Sequence, residues 1–124
     1  MSEAFAPGRH AIEAYGGGQF SFAGMRRTGA ILATPQGVRS VDVSAPEAID
    51  EAVLSPLFDE PKGSVETLIV GTGANLRRLP PALAARLKAA GIAHETMATG
   101  PAARVYNVML QEGRRVAALL LPAP

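Results

Sequence analysis

The stretch Glu95 to Leu121, ETMATGPAARVYNVMLQEGRRVAALLL, decides the fold of this chain. Thr99-Gly100-Pro101 breaks the preceding strand and opens a helix that carries Tyr106 and Asn107. Gly113 stops that helix, because a residue without Cβ takes the left-handed exit freely. The basic pair Arg114-Arg115 follows, and then Val116 to Leu121, apolar at every position. A strand with no polar face needs cover on both sides, so it belongs inside a sheet rather than at its edge.

Upstream, the same grammar repeats. Val65 to Val70 reads as a buried strand that ends in the turn Gly71-Thr72-Gly73. A helix begins at Pro80-Pro81, with Leu83, Leu87 and Ala90 on one face and Gly91 as its stop. Ile92 to Thr96 is a short strand. Further back, Ser44-Ala45-Pro46-Glu47 has the form of a capping box. It predicts a helix with Ile49, Ala52 and Val53 on its inner stripe, ended by Pro56. The first third alternates as strands: Phe20 and Phe22, a turn at Gly24, Gly29 to Ala33, a turn at Pro35-Gln36-Gly37, then Val38, Val41 and Val43. Residues 1–18, which end in Gly16-Gly17-Gly18, read as a flexible N-terminal arm, and residues 19–122 as a single α/β domain. The order is a β meander followed by α-β-α-β-α-β, which predicts a mostly parallel or mixed sheet with helices packed on it.

The 124 residues suffice for one core of ordinary size, and 48% of them are apolar against 19% charged. A formal charge of +1 offers no field for nucleic acid or an acidic membrane. Without tryptophan, and with two tyrosines and four phenylalanines, the chain also has little to stack on bases. Zero cysteines excludes disulfide, thiol and zinc–thiolate chemistry, and the two histidines, His10 and His94, stand far apart. The first residues lack the basic start and apolar run of a secretory leader, and no apolar run reaches membrane-spanning length. The expectation is a cytoplasmic protein, and its Ala, Arg, Gly and Pro usage is that of a high-GC bacterium.

No nucleophile elbow, metal-loop spacing or P-loop is present, and Gly71-Thr72-Gly73 departs from the dinucleotide fingerprint, so no cofactor is expected. Two loops nevertheless merit attention. Gly71-Thr72-Gly73 follows a buried strand, where open α/β sheets take up ligands. Thr99-Gly100 opens a helix whose N-terminus offers amide donors and partial positive charge, with Arg104, Asn107 and Gln111 on one face. Together with Thr72 or Arg78 these residues form a candidate small-anion site. The competing reading makes the same face a solvated stripe opposite a core of Ala102, Val105, Met109 and Leu110, with Thr99 as an ordinary N-cap. Tyr106 reads chiefly as an amphipathic core residue. Arg114-Arg115 complements the helix dipole or faces a partner protein.

Phe20 to Gly29, Leu68-Ile69-Val70-Gly71-Thr72-Gly73, and Met97 to Leu110 followed by Glu112-Gly113-Arg114-Arg115-Val116 resemble one small domain family over residues 12 to 122. That family includes mitochondrial NADH dehydrogenase assembly factor 3. The resemblance implies a three-layer α/β arrangement around a mixed sheet with an added β layer. It also implies a role through protein contacts, as an accessory to respiratory complex I assembly, with complex I subunits or assembly factors as partners. Family members commonly carry Asp where this chain has Ala98, and Thr where it has Val105. A carboxylate and a hydroxyl are thereby missing, which weakens a catalytic reading.

Three functional readings stand at this level. The first is a non-enzymatic protein acting through protein–protein contacts. The second is a binder or enzyme for a small anion or metabolite at Gly71, Thr72, Gly73, Thr99, Gly100, Arg104 and Asn107. The third is a homodimer joined along an exposed edge of the meander.

Overall fold

The computed structural model of the protein describes residues 5–124. In chain order the strands and helices are β1 (Phe5–Pro7), β2 (Ala14–Gly16), β3 (Gln19–Phe22), β4 (Met25–Thr28), β5 (Ala30–Thr34) and β6 (Gly37–Val41). A 3-10 turn at Pro46–Ala48 leads to α1 (Ser55–Phe58) and β7 (Thr67–Gly71). Then come α2 (Pro81–Ala89), β8 (Ala93–Met97), α3 (Thr99–Gln111) and β9 (Val116–Leu120).

The apolar run at the end of the chain lies where its composition requires. Strand β9 is central in a six-stranded mixed sheet of order β1-β6-β5-β9-β7-β8, antiparallel to β5 and parallel to β7. All five of its residues are buried. Its alternate side chains enter two different cores. Ala117 and Leu119 join Leu68, Val70, Leu83 and Leu87 on the face covered by α1 and α2. Val116, Ala118 and Leu120 join Ile69, Phe20, Phe22, Ala102, Ala103 and Tyr106 on the other face. That second face is covered by α3 and by a separate three-stranded sheet of order β2-β3-β4. The fold is therefore the expected single α/β domain in three layers, with the small sheet as the added β layer.

Three local expectations are corrected. The arm predicted for residues 1–18 is not loose over residues 5–18, which supply β1 and β2, while residues 1–4 lie outside the described residues. Ile12 is buried, and the Gly8 amide donates to the Gln36 carbonyl at 2.9 Å. The meander is also split: Met25–Thr28 adds a fourth strand, and the first two strands of this stretch turn away into the small sheet. Its alternation was hidden because Arg26 and Arg27 carry no apolar signal.

The helix expected from Ser44 is replaced by the short 3-10 turn, with Ala45 at its cap position and no side-chain cap. The cause is local competition. The Asp50 carboxylate accepts a bond from the Val53 amide at 3.0 Å, which fixes a turn where a helix would have continued. Pro56 does not end a helix but sits in the first turn of α1, where its missing N–H is not needed.

Candidate functional site

At the end of β7 the chain meets the start of α3 at unusually close range. A Cβ added to Gly71 would stand 2.9 Å from the Thr99 Cα and 3.0 Å from both Thr99 Oγ1 and Leu120 Cδ2. Only glycine lets the helix start seat against the strand end. Thr99 itself is fully buried. Its hydroxyl accepts from the Gly73 amide at 2.8 Å and donates to the Leu121 carbonyl at 2.7 Å. The Thr99 amide donates to the Gly73 carbonyl at 2.9 Å, and the Leu121 amide donates to the Gly71 carbonyl at 2.9 Å. One hydroxyl thus joins the ends of β7 and β9 to the first turn of α3.

Thr72 makes a second tie. Its amide donates to the Met97 carbonyl at 2.9 Å. Its hydroxyl donates to the Asn75 carbonyl at 2.6 Å and accepts from the Arg77 amide at 3.1 Å. Thr99 is therefore not an N-cap: Ala98 holds that position, without a side-chain bond, and Thr99 is the first helical residue. Gly71, Thr72, Gly73 and Thr99 do come together, but their hydroxyls face backbone rather than an open cavity.

Two turns further along α3 a different pair acts on the N-terminal segment. Asn107 Oδ1 accepts from the Ile12 amide and Asn107 Nδ2 donates to the Ile12 carbonyl, both at 2.8 Å. The amide side chain pairs with Ile12 as a neighbouring strand would. The Tyr106 hydroxyl donates to the His10 carbonyl at 3.2 Å. Burial pushes the phenol up to about 12, and the Arg9 cation pulls weakly the other way. A phenol held that high is neutral at physiological pH and is a poor general base. The buried face of α3 is accordingly Thr99, Ala102, Ala103 and Tyr106, while Val105, Met109 and Leu110, expected in the core, are only partly buried.

The phenol has a measurable consequence. Its folded pKa lies above its unfolded value of 10.0. The neutral form is therefore favoured by folding, and the associated stability is complete below pH 10 and lost as pH rises toward 12. A shift of this size corresponds to roughly 2–3 kcal/mol. Urea unfolding between pH 9 and 12 should show that loss in the wild type and a shallower one in Tyr106→Phe. Parallel curves for the two would disprove the assignment.

Between the N-terminal segment and α3 lies a cleft of about 470 Å³, lined by Ile12, Glu13, Tyr15, Ala103, Arg104 and Asn107. Arg104 is exposed there and has no ion-pair partner among the described residues. Tyr15, 43% exposed, lies over Gly100, where an added Cβ would come within 2.5 Å of its hydroxyl. Arg104 and Asn107 thus belong to this cleft, apart from the buried joint at Thr99, while Gly100 lies beneath the Tyr15 ring. Arg78 and Gln111 remain exposed. Of the basic pair, Arg115 contacts Glu66 at 2.8 Å and the Gly63 carbonyl at 2.9 Å, so it ties the loop before β7 to the entry of β9. In the sequence Tyr15 carries one signal only, an aromatic directly before three glycines.

The comparisons with known proteins agree with the motifs. A protein of Rhodobacter capsulatus, described as uncharacterized, is 40% identical over 119 residues, 91% of this chain and 85% of that one. The mouse NADH dehydrogenase (ubiquinone) 1 alpha subcomplex assembly factor 3 is 33% identical over 113 residues. That alignment covers 91% of this chain but 60% of the mouse protein, so the chain spans less than two thirds of that relative. The crystal structure of an outer membrane protein from Bartonella henselae has a TM-score of 0.89 at 42% identity, covering 95% of this chain and 98% of that one. Residues 12–121 match the profile of the family described as protein of unknown function (DUF498/DUF598), and the chain belongs to that family.

Proposed function

We propose that this protein acts in the cytoplasm through protein–protein contacts, without catalysis, as an accessory to the assembly of respiratory complex I. One observation carries the reading. The polar residues of the motifs that carry the family resemblance, Thr72, Thr99, Tyr106 and Asn107, hold backbone groups of their own chain. They build a rigid body and leave its outer surface to do the work. The assembly-factor relatives support the direction of the proposal. Among the described residues no helix is long and apolar enough to cross a membrane, so contact with a membrane complex would run through its subunits.

The test is a pull-down of the tagged protein from its own cells in mild detergent, read by mass spectrometry, beside a deletion strain. Complex I subunits or their assembly factors should be enriched, and assembled complex I on native gels should fall in the deletion. Unchanged complex I content in that strain would sink the assembly role.

A second reading, capture of a small anion, is favoured by Arg104, which has no ion-pair partner among the described residues and stands on the rim of the 470 Å³ cleft. A thermal-shift panel of anionic metabolites at millimolar concentration separates the two, since a ligand that binds only the folded state raises its melting temperature.

A further inference from the structure

One sheet edge of this molecule is less guarded than the others. The six-stranded sheet ends in β1 and β8, and the small sheet ends in β2 and β4. Edge strands need guarding because their outward N–H and C=O groups template pairing with another chain. Strand β1 contains Pro7, β2 has three residues, and β4 carries Arg26 and Arg27. Strand β8 has five residues, AHETM, with no proline, lysine or arginine, and carries a single carboxylate, Glu95.

Its ladder shows which groups are free. Along one side of a parallel ladder, alternate residues bond to the neighbour and those between point away. The Ala93 amide donates to the Glu66 carbonyl and the Met97 carbonyl accepts from the Thr72 amide, both at 2.9 Å. Ala93, Glu95 and Met97 therefore turn their backbone groups toward β7. His94 and Thr96 direct theirs to the open side, where the sheet has no further strand among the described residues.

The side chains of His94 and Thr96 stand on the α2 face, because their register partners Leu68 and Val70 belong to the core beneath α2. On that face a shallow, largely apolar groove of about 530 Å³ runs between α2 and the edge. Ala84, Ala85, Ile92, His94 and the stem of Lys88 line it. Lys88 is exposed and has no acidic partner among the described residues.

We propose that β8 is a docking edge that takes up an extended segment of a partner protein by strand addition. The segment's alternate side chains are small and apolar where they lie in the groove, and one carboxylate meets Lys88. This names the contact surface of the function proposed above and rests on that reading. A second copy of this chain fits poorly. The antiparallel register that satisfies both outward residues pairs His94 with Thr96 of the copy and sets the two Glu95 side chains directly opposite, a destabilising like-charge pair.

Thr96→Pro removes an outward N–H and places a ring on the open side, while the bonds of the neighbouring residues to β7 stay in place. Lys88→Glu reverses the groove's charge without touching the strand. Tagged wild type and both variants, each checked for fold by circular dichroism and melting, are used for capture from native cell extract in mild detergent. Recovery of the wild type's partner should fall at least tenfold with Thr96→Pro and severalfold with Lys88→Glu. In the purified wild-type complex, amide exchange at His94 and Thr96 should slow at least tenfold relative to the free protein, with Glu95 unchanged. A folded Thr96→Pro protein that keeps full capture, or a complex in which both amides exchange at the free rate, overturns the docking edge and leaves the contact reading standing. A wild type that captures nothing defeats the contact reading and the edge with it. Protection of the two amides in the purified protein alone, with a dimer in sedimentation, assigns the edge to a second copy and overturns the proposal.

Discussion

Thr99→Val lowers the stability of the protein by about 2–4 kcal/mol, because two backbone groups lose their partner at once. Valine keeps the shape of threonine, so no cavity opens and packing is spared. What disappears is the hydroxyl that accepts from Gly73 and donates to Leu121. Thr99 is fully buried, so water does not reach the site to replace it. Each orphaned group carries a desolvation penalty of about 1–3 kcal/mol. Urea unfolding should show a midpoint lower by about 2 M with an unchanged slope, for an m-value of about 1.5 kcal/mol/M. Thr99→Ser, which keeps the hydroxyl, should recover most of the loss. A loss under about 1 kcal/mol in Thr99→Val would mean that the joint closes without this brace.

Gly71→Ala is the second large effect, and it acts by the opposite route. The backbone of Gly71 is outside the left-handed region, so alanine meets no conformational penalty there. The cost is steric alone: the new methyl would stand 2.9 Å from the Thr99 Cα, a backbone atom of a packed helix that cannot swing aside. Overpacking of this kind costs about 1–3 kcal/mol, and here the upper half of that range is expected. Because the methyl would also press on Thr99 Oγ1, the two substitutions share one joint. The double variant should lose less than the sum of the single losses, since a helix start already displaced has little brace left to lose. Strict additivity in a double-mutant cycle would refute the shared joint.

What was legible in the sequence divides by the range of the interaction. The interior place of β9 follows from a run with no polar face, and that argument holds whatever its neighbours are. The helix stops at Gly91 and Gly113 were legible as well, and both glycines adopt the left-handed conformation those exits need, with φ of 77° and 75°. The gathering of Gly71, Thr72 and Gly73 near Thr99 follows from the rule that loops meet at the C-terminal ends of parallel strands. The direction of the Thr99 hydroxyl does not follow, because it is set by the Leu121 carbonyl, which no local pattern places. The N-terminal segment was misjudged for the same reason. Its glycines read as flexibility, yet Ile12 is held by Asn107, 95 residues away. The 44–53 segment failed at short range, where the Asp50 turn outcompeted a well-formed capping box.

The position of β9 also governs the order in which this protein can become itself. Strand β5 leaves the ribosome before β7, but in the finished sheet they touch only through the strand between them. That strand, Val116–Leu120, follows both of them in the chain. Until it emerges the sheet exists as two halves without a shared middle, and the apolar faces that will sandwich it remain open to water. Pairing over such sequence distances is slow, and exposed apolar surface during the wait is what chaperones recognise. Folding of this domain is thus a closure completed by its last strand, whose arrival joins the two halves.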